Sequence, residues 1–165
     1  MAKKKINKVP EKVGEELRKL GLTPEEAGWD CHGTYVLLHK ALEKVAASKG
    51  IKFDEPKIIN ADISAKEVVV LVTGHLGDKS EWSFGEAAPY NSKNSYPFAM
   101  AEKRAKDRVI LKLVGLHGDV YSEEEADEFQ EIIANERGSN TVEQKDKTGQ
   151  EEVAESSDNK VVEIK

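Results

Sequence analysis

Cysteine occurs once in this chain of 165 residues, at position 31, so no internal disulfide can form. A lone thiol agrees with a reducing compartment and excludes the small disulfide-stapled scaffolds. Long apolar runs are missing too. None approaches the roughly 20 residues that a membrane helix needs. Lys3, Lys4 and Lys5 make the start basic, but no apolar signal-peptide core follows them. The expected compartment is the cytoplasm. Metal and nucleotide signatures are absent as well. There is no HExxH, no paired CxxC and no GxxxxGK[ST]; "GEAAPYNS" and "GHLGDKS" both fall short of a phosphate loop. His39, His75 and His117 are scattered, and Asp30, Cys31 and His32 are adjacent, so they point apart. A structural, buried Cys31 is expected. No metal, cofactor or catalytic set is expected, and the chain is not read as an enzyme.

Charge is what the chain has in quantity: 34% of residues, with a formal net charge of −6. The average hides an asymmetry. Residues 1–121 hold 20 Lys and Arg against 17 Asp and Glu, whereas residues 122–165 hold 5 against 14. A mildly basic body with an acidic end hints at nucleic-acid binding, although acidic tails also serve solubility alone.

The length suits one domain plus a tail. Residues 1–33 read as a basic arm with short helices, with Val13, Leu17 and Leu20 on one helical face and "TPEE" at 23–26 opening a further turn. Residues 34–137 read as the core. Thr34 is taken as the cap of an amphipathic helix carrying Tyr35, Leu38, Leu42 and Val45, with Gly50 as its stop. "KIINADI", "EVVVLVTGHLG" and "EWSFGEA" read as three strands, the middle one apolar on both faces and therefore covered on both. Trp82 and Phe84 are assigned to the sheet core. A helix from Pro97 to about Val114 follows. Ser122 with Glu125 forms a capping box for another helix, "YSEEEADEFQEIIANER". Residues 138–165, nearly free of apolar groups, read as a disordered acidic tail. The expected class is α+β: a helix, a three-stranded antiparallel sheet, a long basic helix packed on it, and a further C-terminal helix.

The stretch from Gly85 to Leu113 concentrates the chemistry. Arg104, Arg108 and Lys112 stand at i, i+4 and i+8, a stripe of cations beside the apolar face of Phe98, Ala101, Ala105, Val109, Leu113 and Leu116. Such a stripe can meet a phosphate backbone. It can equally be a solvated face, braced by Glu102–Lys106 and Lys103–Asp107 pairs. The preceding loop, Tyr90 to Tyr96, offers two rings, Lys93 and several hydrogen-bonding groups, a mixture suited to single-stranded nucleic acid. It can also be an ordinary connection with its rings packed down.

The three strand segments followed by "AMAEKRAKDRVILKLVGLHG" resemble the core of the phage single-strand annealing proteins, the superfamily of the Erf and RecT-type recombination proteins. The resemblance covers about residues 34–118. It implies ATP-independent binding of single-stranded DNA along a basic groove, annealing of complementary strands in recombination, and assembly into rings or filaments. Lys112 falls where basic DNA-contacting residues occur in the family. The expected DNA contacts are Tyr90, Lys93, Tyr96, Lys103, Arg104, Arg108 and Lys112. A replication or recombination protein is the expected partner of the acidic tail, and no membrane is expected to be involved. Two other readings stay open: a protein-interaction module with a recruiting tail, and a nucleic-acid enzyme of unknown type.

Overall fold

A computed structural model describes residues 9–31, 33–93 and 95–126. Its elements run α1 (Glu11–Lys19), α2 (Pro24–Ala27), β1 (Gly28–Cys31), β2 (Thr34–Leu37), α3 (His39–Lys49), β3 (Lys52–Phe53), β4 (Lys57–Asp62), β5 (Glu67–Leu76), β6 (Lys79–Ala87), α4 (Pro97–Val114) and β7 (Tyr121–Ser122). The class is α+β, with one antiparallel and one mixed sheet.

β5 is the spine of the larger sheet. β6 pairs with its whole length on one side. The other side is shared by β3, opposite Gly74 and His75, and by β4, opposite Glu67 to Leu71. Pro56 lies in the gap between β3 and β4, where its missing N–H is not needed for the ladder. The sheet therefore holds four strands. The expected strand count was short because β3 is only two residues long.

The second sheet was not expected. β2 lies between β1, antiparallel, and β7, parallel. Thr34 is thus the first residue of a strand and not a helix cap. Tyr35, Val36 and Leu37 are all buried, a run apolar on both faces that suits a covered strand better than one turn of an amphipathic helix. α3 starts four residues later than expected, at His39, and buries Ala41, Leu42, Val45 and Ala46.

Among the described residues, α4 contributes to both core clusters. Ala101, Ala105, Val109 and Leu113 pack on Val68, Val70, Val72 and Ala87 of the larger sheet. Ile110 and Leu111, on another side of α4, join Val13 and Leu17 of α1, Leu37 of β2, and Leu42 and Val45 of α3 in a second cluster. Residues 11–31 therefore share a core with residues 34–50. α4 comes closest to the sheet at Gly85, where a Cβ would stand 1.8 Å from the Ala101 carbonyl oxygen. No larger side chain fits there without moving the helix. Gly115, at φ 71°, ends α4 in the left-handed conformation expected of a glycine stop.

The capping box at Ser122 is present: Glu125 Oε2 accepts the Ser122 N–H at 3.1 Å, and Ser122 Oγ accepts the Glu125 N–H at 3.4 Å. Residues 123–126 are helical. The remainder of that expected helix and the acidic tail lie outside the described residues. Among the described residues, no helix is long and apolar enough to cross a membrane.

Candidate nucleic-acid interface

The loop between β6 and α4 begins with a tight structure built around Asn91, which is 8% exposed. Its Oδ1 accepts the Ala88 N–H at 2.8 Å, and the Ala88 carbonyl accepts the N–H groups of Asn91 and Ser92. Asn91 thus turns inward and ties the base of the loop together. The rings do the opposite. Tyr90 is 71% exposed and Tyr96 70%, and Lys93 between them is exposed as well. Both rings are mainly exposed to solvent. Asn94 lies outside the described residues.

The cation stripe has a different setting from the one a phosphate groove needs. Arg104 is 2% exposed. Its Nη1 donates to the Glu86 carbonyl at 2.6 Å and its Nη2 to the Asn91 carbonyl at 2.5 Å. Arg108 Nη1 donates to the Phe84 carbonyl at 2.9 Å, and its Nε to Glu125 Oε1 at 3.1 Å. Lys112 Nζ donates to the Trp82 carbonyl at 2.8 Å. Three successive turns of α4 therefore grip three alternate carbonyls of β6. The match is geometric. Four helical residues rise about 6.0 Å, and two strand residues span about 6.8 Å. Among the described residues, no strand pairs with β6 on this side, so these carbonyls would otherwise lack protein donors. The first service of the stripe is to the sheet edge.

Lys103 does not pair with Asp107. It pairs with Glu124 at 2.5 Å, while the Lys106–Glu102 pair is present at 2.6 Å. Asp107 is fully buried and meets His39 Nδ1 at 2.7 Å. Burial pushes the Asp107 carboxyl above its ordinary value, against the pull of His39. Burial works to lower the His39 value, but the hydrogen bond and charge of Asp107 outweigh it and leave His39 raised. Glu43 reaches His39 Nε2 at 3.2 Å, and Glu123 Oε2 accepts the His39 backbone N–H at 3.3 Å. Sequence spacing gave no sign of this cluster, because its members come from α3, α4 and the segment after β7.

Trp82 and Phe84 correct the expectation of a core role. They are 55% and 42% exposed and meet edge to face, with centroids 5.4 Å apart. The pairing register explains why. α4 covers the sheet face that carries Val70, Val72 and Gly85. Trp82 stands opposite Thr73, and Phe84 opposite Leu71, on the other face, which no described element covers. The alternation of "EWSFGEA" located the face correctly; it could not say which face the helix would take.

No protein-family model, curated protein or solved structure matches the chain. Cys31 is half-buried and free. Among the described residues there is no group of three or more His, Cys, Asp or Glu side chains placed to hold a metal ion.

Proposed function

We propose that the chain binds single-stranded DNA and brings complementary strands together without ATP, and that the loop between β6 and α4 makes the first contact. The observation that carries this reading is the pair of exposed tyrosines flanking Lys93 on a loop whose base is fixed by Asn91 and Arg104. Exposed rings on a rigid base lose little conformational freedom when a base stacks on them. The likeness of residues 34–118 to the phage single-strand annealing proteins supports the same function, and with it assembly into a homo-oligomer. In this reading Arg104 positions the loop. Arg108 and Lys112 add positive potential beside it while holding the sheet edge. Lys103 contributes field more than contact, because Glu124 already occupies it.

Fluorescence anisotropy with a labelled oligothymidylate tests the proposal. Tyr90→Ala and Tyr96→Ala should each weaken binding by about 1–3 kcal/mol with the salt slope unchanged, because stacking is not ionic. Lys93→Ala should reduce that slope by about 0.7, one phosphate's share on a single strand. An absence of oligonucleotide binding at low salt refutes the proposal, as do tyrosine variants that bind like the wild type.

A second reading, a protein-interaction module, is favoured by the open sheet face around Trp82 and Phe84. Exposed apolar surface of this kind marks contact sites.

A further inference from the structure

We infer that this open face is itself a base-stacking platform, so that a single strand leaving the loop runs across the sheet over Phe84 and Trp82. The inference rests on the DNA-binding reading above and adds a site to it.

Geometry supplies the first argument. Phe84 and Trp82 are alternate residues of β6, so their Cα atoms lie about 6.8 Å apart along the strand. Both rings stand on the face that no described element covers. An extended polynucleotide can therefore offer successive bases to successive rings. Leu71 and Thr73, opposite them on β5, give the floor beside the rings a low, half-buried profile. β6 runs from this platform directly into the loop that bears Tyr90, so the two sites are continuous along the chain.

Charge supplies the second. Lysines from three elements border the rings. Lys57 of β4 shares the row of Leu71 and Phe84. Lys52 of β3 stands opposite His75 at one end. Lys112 of α4 comes round the sheet edge, with Nζ 5.7 Å from the Trp82 ring centroid. One proton of that ammonium goes to the Trp82 carbonyl, and the other two remain for a phosphate. The carboxylates of Asp62, Glu67 and Glu86 share this face at its loop end, Glu86 two residues from Phe84 on the path from the loop, and Asp54, near Lys52, is bonded to His75 at 3.1 Å. Cations beside aromatic rings are the combination that single strands need.

Area argues against a second copy of the chain as the occupant. Three strands about 4.8 Å apart and about nine residues long present roughly 430 Å² in projection. A stable protein pair buries about 800 Å² on each partner.

The test follows Trp82 emission during titration with unlabelled oligothymidylate. Trp29→Phe leaves Trp82 as the only indole; if that variant does not fold, the difference between wild type and Trp82→Phe isolates the same signal. Binding should quench Trp82. Trp82→Ala and Phe84→Ala should each weaken binding about tenfold or more, with the circular dichroism spectrum kept, because both rings are exposed. Binding that leaves Trp82 emission unchanged, with both variants within twofold of wild type, overturns the inference and leaves the loop reading standing. A complete absence of binding removes both. Two further results also overturn it. One is a doubled mass in light scattering that Trp82→Ala abolishes, which assigns the face to a second copy. The other is resistance of Trp82 to acrylamide in the free protein, which assigns the face to residues 127–165 of the chain itself.

Discussion

Replacing Arg104 by alanine separates structure from DNA contact more sharply than any other change at the cation stripe. The side chain is buried, and its two terminal nitrogens serve the carbonyls of Glu86 and Asn91. Alanine leaves both acceptors without this donor, at about 1–3 kcal/mol each. Losing the packed stem adds about 1.6 kcal/mol for two methylenes. Relief from burying a charge returns part of this. The expected net loss is about 4 kcal/mol. Arg108→Ala, at a half-buried position, should cost about 1–2 kcal/mol, and Lys112→Ala under about 1 kcal/mol. Stability should therefore fall in a gradient along α4, steepest at its N-terminal end. Urea unfolding followed by circular dichroism reads this directly. With a slope near 2 kcal/mol per molar, the Arg104→Ala midpoint should drop by roughly 2 M. A midpoint within about 0.5 M of wild type, with oligonucleotide affinity lost, refutes the reasoning, because it means the guanidinium serves phosphate and not the sheet edge.

Gly85→Ala should destabilise the fold by about 1–3 kcal/mol through overpacking, since its Cβ would press on the Ala101 carbonyl; an unchanged urea midpoint contradicts the close approach. The His39–Asp107 pair predicts a pH dependence. His39 is raised above 6.5, so its contribution is complete below pH 6.5 and lost as pH rises through the higher folded value. Asp107 is raised above 3.8, and its buried charge also weakens the fold as pH climbs from there. Asp107→Asn should therefore flatten the fall in urea midpoint between pH 6 and pH 8; equal slopes in the two proteins count against the pairing.

The parts of the fold legible in the sequence were those whose reasons are local. Val68 to Val72 read as a central strand, and Pro97 and Gly115 bounded α4, because alternation, proline and glycine act within a few residues; cover on both faces was expected of that strand, but among the described residues only the face of Val68, Val70 and Val72 has it. β1, β2, β3 and β7 are four residues or shorter, and their pairing depends on partners far along the chain. The cation stripe was legible as a stripe, but its partners were not. A spacing of four residues places charges on one line whether that line faces water or a strand edge. One sign was available: Arg104 stands between Ala101 and Ala105, small residues that let a helix lie close to a sheet. The tyrosines of the loop were found by composition. The exposure of Trp82 and Phe84 was not, because alternation defines two faces without ranking them.

The cation–carbonyl contacts repeat every four residues on α4 and every two on β6, and a repeating contact has a weakness. Sliding the helix by one turn would set Arg108 on the Glu86 carbonyl and Lys112 on the Phe84 carbonyl, keeping two of the three contacts. Charge alone therefore leaves the helix with neighbouring resting positions of similar energy. Gly85 removes the ambiguity. In the observed position it faces the Ala101 carbonyl and the Ala105 amide; one turn away it would face Ala105 and Val109, and the valine would demand more room. The cations attract the helix to the edge, and a missing methyl group decides where it stops.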